Sequence, residues 1–150
     1  MGKKVVIALT VQASSLYAMS NPSQKDIDST CSLSDDNSGR SSNGTLKDFL
    51  SNVYLNQDVR WIGLTNDSGY SVAIDSIFNE PESRDMNFFD VTTIYGSGGR
   101  SGNATAKVKN DSNLVHKIDK YTINFSVYAD GNSSKSFHID PKLAANPWYF

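Results

Sequence analysis

Nucleophilic catalysis needs a Ser, Cys or Thr, a basic partner and an orienting acid within hydrogen-bond reach of one another. The chain supplies Cys31, many serines and two histidines, His116 and His138. It has no nucleophile elbow and no signature around its cysteine, so the reading is that no residue is catalytic. Cys31 falls in a polar stretch, where an ordinary thiol is the plain expectation. His138 follows Phe137 on a strand pattern, which places it on the other face, as a surface or interface residue.

Metal chemistry fares no better. One cysteine and two histidines, each at least 22 residues from the next, match no zinc spacing. Asp35-Asp36-Asn37-Ser38-Gly39 is rich in oxygen and makes Asp35, Asp36 and Asn37 weak candidates for calcium. The segment fails the EF-hand pattern, so a solvated loop is the simpler reading. Residues 96–102 are glycine-rich but lack the lysine and the strand-to-helix context of a phosphate loop, and they read as a hairpin turn. Asn43, Asn66, Asn103, Asn110, Asn124 and Asn132 each begin an N-x-Ser/Thr sequon, as chance provides in a chain this rich in Ser and Asn. No cofactor is implied.

Composition sets the frame for these residues. A chain of 150 residues fits one domain and can bury a core without a metal or a disulfide. Net charge is -2 with the lysines and arginines scattered, which argues against nucleic acid, whose binding needs a basic stripe. The near-neutral surface also offers little repulsion between copies. One cysteine permits no internal disulfide and suits a reducing, cytoplasmic setting. Lys3-Lys4, then the apolar run Val5 to Val11, then Leu16-Tyr17-Ala18 imitates a Sec signal peptide. The run is short and Gln12 interrupts it, so a first strand is expected instead. No segment approaches the eighteen apolar residues of a membrane span.

Periodicity supplies the elements. Residues 3–11 look like a strand buried on both faces, and residues 20–44 read as one long polar loop. Residues 45–53 fit either a short helix or the start of a strand. Val59, Trp61 and Gly63 alternate with their neighbours up to the turn Asn66-Asp67-Ser68-Gly69. Tyr70, Val72, Ile74 and, after a slip, Ile77 and Phe78 form the return strand, which Glu80-Pro81-Glu82-Ser83 stops. Strands are also expected at 86–95, 104–109 and 136–139. The cleanest is 121–128, with Tyr121, Ile123, Phe125 and Val127 on one side. Seven or eight short strands at this spacing predict an all-β, two-sheet sandwich of jelly-roll or immunoglobulin-like type, in a single domain spanning 1–150. Trp61, Tyr121 and Phe125 are the core markers. Trp148, Tyr149 and Phe150 must fold back or be covered by another chain, so they are the candidate interface.

Three stretches resemble the bacterial inclusion-body protein family that contains the AidA and PixA proteins. They are Asp58-Val59-Arg60-Trp61 with the return strand 70–78, the hairpin from Tyr121 to Phe137-His138-Ile139-Asp140-Pro141, and an apolar first strand leading to Asn21-Pro22-Ser23. The resemblance implies a β-sandwich without enzymatic activity, tied to inclusions. It points to self-association, a dimer being the first expectation. The alternative is a lectin-like sandwich that binds a glycan, with calcium assistance, through Asp/Asn/Gly-rich loops and stacking aromatics.

Overall fold

The computed structural model describes residues 2–37, 39–41, 44–79 and 87–147. Two sheets face each other across one core, so the expected all-β, two-sheet class is what the chain adopts. The first sheet has the order β2-β1-β5-β8, with β1 at Val5–Val11, β2 at Cys31–Asp35, β5 at Asp58–Leu64 and β8 at Ala104–Lys107. The second is built on the long strand β9, Ile118–Ala129. On one side of β9 lies β6 (Tyr70–Asn79), followed by β7 (Thr93–Tyr95). On its other side β10 (Lys135–Ile139) and β11 (Lys142–Asn146) each pair with a different stretch of β9, and β11 continues outward to β4 (Phe49–Tyr54) and β3 (Arg40–Ser41).

Period-two patterning accounts for the packing. Val5, Ile7, Leu9 and Val11 of β1 are buried while the residues between them are only partly so. The strand is therefore amphipathic, not buried on both faces as its apolar run suggests. Tyr121, Ile123, Phe125 and Val127 are all fully buried, as their alternation predicts. Trp61 of β5 reaches across to β9, where its ring lies 5.9 Å from that of Tyr121, centroid to centroid. The slip in β6 is a β-bulge: the register to β9 shifts between Ile74 and Ser76.

Pairing departs from the hairpin reading in two places. Asn66 to Gly69 does not fold β5 back onto a neighbour; β5 belongs to the first sheet and β6 to the second. The glycine-rich stretch after β7 likewise crosses between sheets, since β7 pairs with β6 and β8 with β5. The turn at Asp130 does make a hairpin, β9 with β10. Two pairs are parallel, β1 with β5 and β4 with β11.

The long loop expected at 20–44 is replaced by structure. A helix α1 (Ala13–Ala18) is followed by α2 (Gln24–Ser29), whose N-terminus carries a capping box between Ser23 and Asp26. Strand β2 then pairs with β1 from Cys31 to Asp35. The ambiguity at 45–53 resolves into both alternatives, a single 3-10 turn at Leu46–Asp48 and then β4. Of the strand expected at 86–95, residue 86 lies outside the described residues, and of the rest only Thr93–Tyr95 is extended in a ladder, while Phe88 and Phe89 plug the core from irregular backbone. The stop at residues 80–83 lies outside the described residues.

Candidate functional site

A concavity of about 840 Å³ opens where α2, β2 and the 3-10 turn meet β4. Ser29, Ser32, Ser34, Ser41 and Thr45 supply hydroxyls around it, with Leu33, Leu46 and Phe49 as its apolar lining. A second hollow of about 380 Å³ shares Gln24 and Asp28 with it and is ringed by Lys47, Lys120 and Lys142. Lys120 and Lys142 stand directly opposite on β9 and β11, and Lys142 Nζ lies 3.3 Å from Asp48 Oδ1.

Of the calcium candidates Asp35 alone lines the large cleft, and the three diverge. Asp35 accepts hydrogen bonds from the backbone N–H groups of Asn37 (2.9 Å) and Gly39 (3.0 Å) and from Ser51 Oγ (2.7 Å). It thus closes the turn after β2, and a Cβ at residue 39 would meet its Oδ2 at 2.0 Å, which is why Gly stands there. Asp36 turns the other way, taking the N–H of Val6 at 2.9 Å and pairing with Lys3. Asn37 donates its amide to the carbonyl of Asn52 and to Tyr54 Oη. Each side chain serves a different neighbour, and no described group of three His, Cys, Asp or Glu could hold a metal ion. Ser38 lies outside the described residues.

Cys31 begins β2 opposite Val11 and lines the large cleft, so it is not in a loose loop. Burial, partly offset by a hydrogen bond with Thr30, pushes its thiol up to about 11. A thiol this hard to ionise is a poor nucleophile at neutral pH. His116 and His138 are exposed and far apart in the fold, on the approach to β9 and on β10. His138 does project away from the core, opposite Asn124.

Trp61, Tyr121 and Phe125 are fully buried, and Trp61 Nε1 donates to Tyr121 Oη at 3.2 Å. They hold the sheets together and are closed to any ligand. Desolvation raises the Tyr121 hydroxyl far above the usual range, with the bond from Trp61 acting in the opposite direction. The interface candidates Trp148, Tyr149 and Phe150, and the sequon at Asn43, lie outside the described residues. No helix among the described residues is long and apolar enough to cross a membrane.

What the linear pattern misses is Tyr95. It is 79% exposed on the outer face of β7, the most exposed of the large apolar side chains among the described residues, with Val91 and Leu64 about half exposed elsewhere. Only the pairing of β7 with β6 shows what stands beside it.

The chain is similar in backbone to the crystal structure of an inclusion body protein, PixA, from Burkholderia cenocepacia J2315. The TM-score is 0.62 over 96% of this chain and 95% of that one, at 13% sequence identity. At that identity the likeness is one of fold. No protein-family model matches the sequence, and no curated protein does.

Proposed function

We propose that this is a non-enzymatic β-sandwich protein whose role is to associate with copies of itself, as an inclusion-type protein does. The observation that carries the proposal is the likeness in fold to PixA across nearly the whole of both chains. Fold alone does not assign function, and two features of the molecule lend independent support. The described nucleophile and bases are scattered and the thiol is hard to ionise. The net charge of -2 opposes assembly only weakly, while Leu64 and Val91 leave apolar surface uncovered. Trp148, Tyr149 and Phe150 are the candidate contact, and a two-fold dimer is the expected first unit.

Sedimentation velocity from low micromolar to several hundred micromolar tests this. A weight-average mass rising with concentration, and falling when residues 147–150 are deleted from a chain that still melts cooperatively, supports self-association through the tail. A monomer throughout the range refutes it. A monomer whose melting temperature drops on deletion assigns the tail to the chain's own core.

A further inference from the structure

Strand register gathers on the outer face of the second sheet a set of side chains that no stretch of sequence brings together. Tyr95 of β7 stands opposite Ser76 of β6. Ser76 stands opposite Asn124 of β9, and Asn124 opposite His138 of β10. One straight row therefore crosses four strands, about 14 Å at the usual spacing of about 4.8 Å between strands. Asn124 Nδ2 donates to Ser76 Oγ at 3.1 Å, which orients the amide. Beside this row runs a second, in which Ser126 Oγ donates to Asp75 Oδ2 at 2.5 Å and lies 2.9 Å from Ser136 Oγ.

The bulge makes the arrangement firm. Asp75 is the extra residue in β6, and its carbonyl accepts the N–H of Gly96 at 2.8 Å, directly after Tyr95. A Cβ at Gly96 would strike the Ile74 carbonyl at 2.1 Å, so glycine is required for this clamp. Bulges of this kind re-aim side chains and recur beside binding sites. Here one clamps the backbone beside Tyr95 at a sheet edge, where an unsupported three-residue strand would give that residue little rigidity.

We propose that this face binds a neutral oligosaccharide, with Tyr95 as the stacking platform and Ser76, Asn124 and His138 as the hydrogen-bonding track. An exposed tyrosine offers a flat apolar ring with a polar tip, matching the C–H face of a pyranose and its hydroxyls. Amide, hydroxyl and imidazole groups combine donors and acceptors, as a polyol does. The two rows contain one acid, Asp75, with the imidazole of His138 and otherwise neutral groups, and no Lys or Arg. A phosphate, a sulfated glycan or a nucleic-acid backbone would find no cation within the two rows, and Arg100, over Tyr128 on the same face of β9, is paired with Asp130. The track's length suits a short chain of sugars better than one ring. No metal enters, because the oxygen-rich turn at Asp35 to Asn37 belongs to the other sheet's edge and is spent on its own hydrogen bonds. The site stands apart from the proposal of self-association.

The test is an array of neutral and anionic glycans, followed by calorimetric titration with the best neutral trisaccharide, on the full-length protein. Binding to a neutral glycan is expected, unaffected by chelator and weakened about tenfold or more by Tyr95→Ala, a loss of about 1.4 kcal/mol. Tyr95→Phe should retain it, and His138→Ala, another exposed position, should weaken it without moving the melting temperature. No neutral binder, affinity indifferent to Tyr95→Ala, or loss with chelator each overturns the proposal. So does binding confined to anionic glycans with steep salt dependence. If Tyr95→Ala disperses an oligomer but leaves glycan affinity unchanged, the tyrosine is an assembly contact and the saccharide site is refuted.

Discussion

Replacing Tyr121 with Phe removes one oxygen atom from the centre of the sandwich and leaves the ring in place. Tyr121 and Trp61 are both fully buried, and the indole N–H donates to the phenolic oxygen at 3.2 Å. In the variant the indole N–H keeps its burial and loses this acceptor. A neutral hydrogen bond contributes about 0.5–1.5 kcal/mol net, but an orphaned buried donor costs about 1–3 kcal/mol. The larger figure governs here, because no water can replace the hydroxyl without a cavity to hold it. For a domain of this size 1 kcal/mol shifts the melting temperature by about 2–4 °C, so a fall of about 2–12 °C is expected. Burial keeps the hydroxyl protonated throughout the neutral range, so the loss should not vary with pH there. Chemical denaturation of Tyr121→Phe, Trp61→Phe and the double variant closes a cycle that separates the bond from the packing. Coupling of about 1–2 kcal/mol is expected. Coupling under about 0.5 kcal/mol, with Tyr121→Phe itself within about 0.5 kcal/mol of the parent, would refute the hydrogen bond as a structural tie.

Truncating Phe125 to Ala should cost about 3–5 kcal/mol in urea unfolding, since the ring is fully buried and packs on Phe137; a loss under 1 kcal/mol would place it outside the core. Amide exchange across Cys31–Asp35 should be slowed nearly as much as in β1, because the two strands form a ladder; exchange at loop rates would restore a loop there. Alkylation of Cys31 by iodoacetamide should be slow at neutral pH and accelerate only as pH climbs toward about 11. The raised thiol also favours the folded state fully below its ordinary value of 9.0, and that contribution fades as pH rises through about 11. Rapid labelling at neutral pH would contradict the burial. Asp35→Ala should lower stability by about 1–3 kcal/mol by freeing two backbone N–H groups and Ser51 Oγ, and added calcium should shift the parent's melting temperature by nothing measurable.

Local chemistry decided which residues of this chain lie inside. Alternation along β9 needs only the pleat, whose period of two puts Tyr121, Ile123, Phe125 and Val127 on one face whatever the neighbours are. The same rule located β5, β6 and even the bulge, since a slip in alternation is a slip in the backbone. Helix α2 is marked by its Ser23–Asp26 capping pair, a local signal hidden among residues too polar to draw attention. Strand β2 carries no such signal. Cys31–Asp35 has little apolar content, and it becomes a strand because the edge of β1 presents backbone groups that must be paired. Whether a turn closes a hairpin or crosses between layers is likewise undetermined by the turn itself. Asn66 to Gly69 reverses the chain, but the sheet it enters depends on where the remaining strands bury their apolar faces. The line Tyr95, Ser76, Asn124, His138 is drawn from four strands spread over 63 positions of the chain by number, 76 to 138. Residue types and spacing determined the buried face of each strand, while register, a non-local property, decided which outward side chains became neighbours.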